Sequence, residues 1–169
     1  GAQRVFGVLD TEPEIRSGKE AVVLSTLVGK VEFRNVSLKY QDENKHSLAN
    51  ISVKVEQNKI IALIGPTGSG KTSLVNLIPR FYDVNDGAVL VDGYDVREVD
   101  ITSLRRQIGI VLQTSLLFSD TIRANIAYGR PDATEDEIIA AAKAAQAHEF
   151  IEGFTKGYDT IVGERGVTL

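Results

Sequence analysis

An eight-residue stretch, Gly-Pro-Thr-Gly-Ser-Gly-Lys-Thr at positions 65–72, constrains this chain more than any other part of its sequence. The apolar run 60–64 precedes it and a run of helical character, 73–78, follows, so a glycine-rich loop joins a predicted buried strand to a predicted helix. Gly68 and Gly70 permit positive φ angles, which allow the backbone to curl until successive amides point at one centre. This context predicts a phosphate-binding loop.

The side chains of this loop match what a nucleoside triphosphate with its metal ion requires. Lys71 offers a mobile positive charge to the β- and γ-phosphates, and Thr72 places a hydroxyl on Mg²⁺. The helix that begins near Lys71 adds the partial positive charge of its amino end. The alternative is a glycine-rich turn without a ligand. The predicted phosphate-binding residues are Gly65, Pro66, Thr67, Gly68, Ser69, Gly70, Lys71, Thr72 and Ser73.

Composition excludes several other classes of protein. The 169 residues correspond to about one domain, and a net charge of −4 offers no broad basic surface for nucleic acid. The doublet Arg105-Arg106 is expected on a solvated helix face. The chain has no Cys, which excludes disulfide and thiolate chemistry, and no apolar run approaches the roughly 20 residues of a membrane span. His46 and His148 are expected at the surface. The Asn-Lys-x-Asp motif that reads guanine is missing, which argues against a GTPase.

Alternating stretches predict an antiparallel sheet. Apolar and polar residues alternate over 31–36 and again over 51–55, which is typical of strands with one buried face. A third strand is predicted at 88–91, closed by Asp92-Gly93. An aspartate after four apolar residues also resembles the strand that organises Mg²⁺ in phosphate-loop enzymes. Because Gly93 and Tyr94 follow in place of a second carboxylate, the turn is favoured.

Continuous apolar runs predict a second, buried layer. Residues 60–64 and 108–112 contain only apolar residues and glycine, which is typical of strands buried on both faces. Since helical stretches lie between them, the sequence predicts parallel pairing and an α/β core. Further helices are predicted at 1–9, at 101–107, at 120–128 and after a capping box of Thr134 and Glu137, with a loop at 157–169.

These segments together resemble the nucleotide-binding domain of ATP-binding cassette (ABC) transporters. The resemblance covers residues 30–169 and is strongest for exporters in which this domain is fused behind a membrane domain. It implies an α/β fold: a P-loop NTPase core, an antiparallel β subdomain, and part of a helical subdomain formed mostly by residues 114–169, truncated before the signature motif. Residues 1–29 then correspond to a linker from a preceding membrane domain.

The resemblance implies roles for two residues outside the loop. Tyr40 is similar to the aromatic that stacks on adenine in the family, and a tyrosine ring does offer a π face to a base. The alternative for Tyr40 is a strand aromatic in the core. Gln113 is similar to the glutamine that reaches Mg²⁺ and the attacking water; the alternative is an amide that satisfies a turn. The implied catalytic residues are therefore Lys71 and Gln113, and the implied metal ligands are Thr72 and Gln113.

The resemblance also implies partners. Residues 160–166 are similar to a Thr-Glu-Val-Gly-Glu-Arg-Gly motif that, together with the Gln113 loop, contacts the membrane domain; Ile161 stands where the motif has Glu. A second nucleotide-binding domain is implied in a head-to-tail dimer, at the cytoplasmic face of a plasma or inner membrane. In the family the signature Ser-Gly-Gly-Gln, the Mg²⁺-organising Asp, the catalytic Glu and a switch His follow beyond Leu169. We therefore expect this chain to bind ATP and to hydrolyse it negligibly.

Two other functions stay open at this point. One is a soluble ABC-type ATPase of DNA repair or translation, against which residues 163–166 and the leading linker argue; no nucleic-acid partner is expected. The other is a non-hydrolysing half-cassette that binds nucleotide for sensing or assembly.

Overall fold

The computed structural model describes residues 2–40, 46–114 and 117–163, without the side chains of residues 2–4 and 8. The chain divides into two units, residues 1–109 and 110–169, and each is described by itself. In chain order the first unit contains α1 (Ala2–Leu9), β1 (Val31–Leu38), β2 (Leu48–Val55), α2 (Lys71–Asn76), β3 (Asp86–Val91), β4 (Tyr94–Asp95) and α3 (Ile101–Arg105).

The four strands of the first unit form one sheet in the order β2-β1-β3-β4, with every neighbouring pair antiparallel. The register pairs Phe33 of β1 with Val53 on one side and with Val89 on the other. Phe33 and Val89 are buried, whereas Arg34, the next residue along β1, is exposed, so the sheet has one face on the core. The two antiparallel strands predicted from alternation and the strand predicted at 88–91 are therefore confirmed.

A tight turn at Asp92-Gly93 joins β3 to β4. Both residues have positive φ, +50° and +91°, which is the geometry that hairpin turns require and that the turn prediction implied. The Asp92 carboxylate accepts hydrogen bonds from the amides of Val28, Gly29 and Lys30 at 2.6, 3.0 and 2.8 Å. Asp92 thus holds the N-terminal segment against the sheet.

The core of the first unit lies between the sheet and the helices α2 and α3. Leu77 and Leu104 are fully buried where the two helical segments meet the core, and half-buried Tyr40 packs against the same cluster. The buried residues of this core are Phe33, Val36, Leu38, Leu48, Leu77, Val89, Val91, Val96, Val99 and Leu104.

The prediction of two buried strands is wrong for the part of the chain that the structure describes. Residues 60–64 and 108–112 form neither helix nor strand there, and Ile60 and Val111 are 100% and 98% exposed. Apart from one isolated bridge, the described strand pairings are antiparallel. A strand buried on both faces needs hydrogen-bonding neighbours at its edges and layers above and below it. The described residues supply neither to these two runs.

The second unit is mainly helical. It contains β5 (Asp120–Thr121), α4 (Ile122–Ala127), α5 (Glu135–Ala144), α6 (His148–Glu152), a short 3₁₀ helix (Gly157–Asp159) and β6 (Ile161–Val162). β5 and β6 pair antiparallel, and the core consists of Ile122, Ile138, Ala142, Ile151, Tyr158 and Val162.

Two predictions concern this unit directly. The capping box is confirmed: the Glu137 amide donates to the Thr134 hydroxyl, and the Glu137 carboxylate accepts from the Thr134 amide. The predicted loop at 157–169 is wrong for residues 157–162, because Tyr158 is buried in the core and β6 pairs with β5, a tertiary contact that local sequence does not show. Residues 164–169 lie outside the described residues.

Among the helices that the structure describes, none combines the length and apolar character needed to cross a bilayer.

Candidate phosphate-binding site

The glycine-rich loop curls as its sequence predicts. Gly68 and Gly70 have φ angles of +81° and +85°, and Gly70 is the residue immediately before helix α2. The Leu74 amide donates to the Gly70 carbonyl at 2.9 Å, and the Ser69 amide donates to the Pro66 carbonyl at 3.3 Å. The backbone therefore turns back on itself within the loop before the helix begins.

Gly70 is required for space as well as for its φ angle. A Cβ at this position would lie 2.7 Å from the Ser47 carbonyl oxygen and 2.8 Å from Leu48 Cδ2. The chain that leads into β2 therefore packs directly against the end of the loop. At Gly68 nothing lies within 4 Å of the corresponding position, so only the φ angle favours glycine there.

The Lys71 ammonium lies inside the curl of the loop. It donates to the carbonyl oxygens of Gly65 and Pro66, both at 2.8 Å, and to the Ser69 hydroxyl at 3.3 Å. Residues 61–69 are exposed, so a solute can reach this position. A phosphate oxygen carries negative charge and accepts a stronger hydrogen bond from an ammonium than a neutral carbonyl does. The loop therefore fits an anionic ligand.

The hydroxyl of Thr72 is the candidate metal ligand in this unit. Thr72 is the second residue of α2 and is exposed. In the ranges 2–40, 46–114 and 117–163, no three His, Asp or Glu side chains lie close enough together to hold a metal ion. Mg²⁺ at nucleotide sites is held by one or two protein ligands together with phosphate oxygens and water. One hydroxyl beside the phosphate loop therefore suits a metal ion that binds with the nucleotide.

Tyr40 lies beside helix α2. Its hydroxyl is 3.0 Å from the Ser73 hydroxyl, and its ring meets the Tyr82 ring edge to face, with centroids 4.8 Å apart and planes at 81°. Tyr40 is half-buried, so part of the side chain stays accessible while the rest packs on the core. The structure thus brings the predicted base-stacking residue to the helix that carries Lys71 and Thr72.

The predicted site residues outside the loop and Tyr40 belong to the second unit. Gln113 lies in a bend after the exposed residues 110–112 and is itself exposed. In the 160–166 segment, Ile161 and Val162 form β6, and the Thr160 hydroxyl is buried without a hydrogen-bond partner among the described residues. Residues 164–166 of that motif lie outside the described residues.

Sequence analysis missed the part played by Arg105, which was expected on a solvated helix face. Its guanidinium donates to the carbonyls of Pro79 and Arg80 at 2.8 and 2.7 Å and lies 5.1 Å from the centre of the Phe81 ring. Because these acceptors are backbone oxygens some 25 positions away, the spacing of side chains in the sequence contains no signal for them.

Comparisons with known proteins agree with this geometry. The family model described as ABC transporter matches residues 48–168. The chain is 52% identical over 169 residues to an ATP-dependent lipid A-core flippase of Syntrophus aciditrophicus (strain SB), covering all of this chain and 28% of the flippase. It is 52% identical over 166 residues to the putative multidrug export ATP-binding/permease protein YgaD of Bacillus subtilis (strain 168), covering 98% of this chain and 29% of that protein.

A solved structure of a bacterial Atm1-family ABC exporter with ATP bound superposes with a TM-score of 0.90 at 42% identity, covering 99% of this chain and 29% of the exporter chain. The chain spans less than a third of the length of each of these proteins. The family model covers most of the chain, and a phosphate loop that holds its lysine inside the curl lies within the matched residues. The chain therefore belongs to the ABC transporter family and has the ABC ATPase fold.

Proposed function

We propose that this chain binds ATP as part of the nucleotide-binding domain of an ABC exporter, and that the whole protein couples ATP hydrolysis to transport of a substrate across a membrane. The observation that carries the proposal is the Lys71 ammonium held inside the exposed, curled glycine loop. The similarity to a flippase, a multidrug export protein and an ATP-bound exporter supports the transport part.

Each predicted site residue has a role in this proposal. Tyr40 stacks on the adenine, and residues 65–73 hold the phosphates with Lys71 on the β- and γ-phosphates. Thr72 and Gln113 ligate Mg²⁺, and Gln113 also orients the attacking water. Mg²⁺ supplies the positive charge that offsets the charge developing on the phosphate oxygens.

The proposal includes partners and a location. A second nucleotide-binding domain pairs head to tail with this one, and the membrane domain contacts the Gln113 loop and residues 160–166. Residues 1–29 link the domain to that membrane domain, at the cytoplasmic face of the membrane. The names of the relatives reported above favour this reading over a soluble ABC ATPase of DNA repair or translation, since all of them refer to export or to a flippase.

The test of this proposal is a calorimetric titration of the purified chain with Mg²⁺-ATP. We expect Lys71→Ala to weaken ATP binding about tenfold or more, because a hydrogen bond to a charged group contributes roughly 1.5–3 kcal/mol. The matched control is Lys59→Ala, which removes an exposed lysine that precedes the loop. Unchanged ATP affinity in Lys71→Ala would contradict the proposal.

Turnover is tested in the same preparations by phosphate release. We expect none above background from the chain alone, because the resemblance assigns the general base to a catalytic Glu that this sequence does not contain. Steady phosphate release that Lys71→Ala abolishes would show that the chain is a complete ATPase. ATP-dependent association without turnover would instead favour the half-cassette alternative.

A further inference from the structure

We propose that the segment 79–85, which follows helix α2, positions Tyr40 to receive the nucleotide base, with Tyr82 as the positioning side chain. This inference rests on the proposed function, since it takes Tyr40 as the residue that contacts the base. It adds to that function a set of residues outside the phosphate loop that determine how well the base is held.

Contacts from this segment fix Tyr40 through both its ring and its backbone. Tyr82 packs edge to face against the Tyr40 ring, a geometry that stabilises aromatic pairs beyond simple burial. The Asn85 side chain accepts from the Lys39 amide at 2.6 Å, and the Asn85 amide donates to the Ser37 carbonyl at 3.0 Å. Residue 85 is therefore hydrogen-bonded to the residues on either side of Leu38, in the chain immediately before Tyr40.

The opposite side of Tyr40 is tied to the phosphate-loop helix. The hydroxyl bond to Ser73 joins the far end of the ring to the third residue of α2. Whichever ring supplies the edge, Tyr82 covers at most one face of the Tyr40 ring. Tyr82 therefore leaves at least one face of the ring to the base, while Tyr82 and Ser73 hold the ring in place.

The segment itself is anchored strongly enough to act as a support. Arg80 is only 6% exposed, and its guanidinium donates to both carboxylate oxygens of Asp83 at 2.8 and 3.0 Å and to the Arg97 carbonyl at 3.2 Å. Its backbone has a φ of +54°, which a residue with a side chain adopts only when its surroundings enforce it. Arg105 binds the carbonyls at 79 and 80 from helix α3.

An open cleft lies where this support meets Tyr40. Its volume is about 800 Å³, and its lining includes Leu38, Tyr40, Phe81, Tyr82, Asn85 and Arg105. Volumes of about 300–1,000 Å³ are typical of small-ligand sites. Tyr82 is 42% exposed and lines this cleft, so it contributes to a ligand-accessible wall and not to the sealed core. This placement favours a positioning role over a purely structural one.

The test compares two ligands that share phosphates and differ in the base. Calorimetric titrations of the full chain use Mg²⁺-ATP and inorganic tripolyphosphate. We expect Tyr82→Leu to weaken ATP binding about two- to tenfold, the range of an aromatic pair, and to leave tripolyphosphate binding unchanged. Tyr82→Phe keeps the ring and should retain the ATP affinity of the original chain. Asn85→Ala, which removes only an anchor of the Lys39 amide, should show the same selective loss.

The matched control is Tyr94→Leu, because Tyr94 is 46% exposed and lies in β4, outside the cleft lining. We expect it to leave both affinities unchanged. In the Tyr40→Ala background, Tyr82→Leu should have no further effect on ATP binding, since the ring that it positions is gone.

The outcomes separate this inference from the proposed function. If Tyr40→Ala weakens ATP binding while Tyr82→Leu and Asn85→Ala do not, only the positioning inference is overturned. Equal losses of ATP and tripolyphosphate binding in Tyr82→Leu and Asn85→Ala, or an additive loss in the Tyr40→Ala background, would also overturn it. If Tyr40→Ala leaves ATP affinity unchanged, the proposed base contact fails and the inference fails with it.

Discussion

At the scale of single residues, Gly70 is fixed by two independent constraints. Its φ of +85° disfavours any side chain, and a Cβ would in addition collide with the Ser47 carbonyl and with Leu48. Gly68 meets only the first constraint, because the space beside it is open. A methyl group at these two positions of one loop would therefore lower the free energy of unfolding by different amounts.

This difference gives a prediction about stability. We expect Gly70→Ala to lower the free energy of unfolding by more than about 1 kcal/mol, since a positive φ and a backbone contact oppose it together. Gly68→Ala carries the same φ penalty without the collision and should cost clearly less. Denaturant unfolding of both variants provides the measurement. Equal losses would mean that β2 moves away from the loop at little cost.

Residue-level prediction from sequence succeeded where the cause is local. The positions of Gly68 and Gly70 follow from the loop motif, and their φ angles agree with it. The roles of Arg80 and Arg105 could not be predicted, because their partners are mostly backbone carbonyls contributed by distant segments. A guanidinium gives the same sequence signal whether it faces water or fills such a site.

At the scale of elements, alternation predicted the strands 31–36 and 51–55 because one buried and one exposed face impose this pattern on each strand separately. The inference for the apolar runs 60–64 and 108–112 was different, because their composition predicts that other layers of the fold bury them. Burial on both faces is a property of the assembled layers, and the described residues do not provide those layers. The sequence pattern therefore indicated the capacity of these runs to be buried without indicating what buries them.

The capping box of α5 gives a prediction about pH. The Thr134 amide and then its hydroxyl donate to the Glu137 carboxylate, at 2.8 and 3.1 Å, and lower the pKa of Glu137 below its ordinary value of 4.5. A lowered folded-state pKa contributes stability above the unfolded-state pKa, and that stability is lost as the pH falls through the folded-state pKa. Glu137→Gln should therefore be less stable than the original chain at pH 7, and the difference should disappear well below pH 4.5.

Thermal unfolding followed by circular dichroism at pH 7 and at acidic pH measures this difference. Glu149→Gln, which removes an exposed carboxylate from the first turn of α6, controls for the loss of one negative charge. A stability difference for Glu137→Gln that stays constant with pH would show that the carboxylate charge plays no part in the cap.

At the scale of the whole molecule, the exposed apolar surface has a physical consequence. Ile60 and Ile64 are almost completely exposed beside the phosphate loop, and each Å² of apolar surface removed from water contributes roughly 25 cal/mol. Contiguous exposed apolar surface is typical of interaction sites and of aggregation. We therefore expect the isolated chain to associate with itself as its concentration rises.

Light scattering over a range of concentrations tests this expectation. The double variant Ile60→Asp with Ile64→Asp should shift the average mass towards that of a monomer. Leu9→Asp with Val23→Asp replaces two other exposed apolar residues and adds the same charge, so it is the control. If both double variants reduce association equally, added charge and not the 60–64 run would be responsible.

The position of the Lys71 ammonium has a consequence for selectivity among anions. The carbonyls of Gly65 and Pro66 are internal competitors, since an arriving anion must replace acceptors that the cation already has. The free energy gained on binding is then the difference between the hydrogen bond to the anion and the hydrogen bonds to the carbonyls that the anion replaces. A weakly accepting ion such as chloride gains little by this exchange, whereas a phosphate chain offers several charged oxygens at once. The hydrogen bonds of Lys71 within the loop therefore favour the binding of polyphosphates over the binding of small anions in solution.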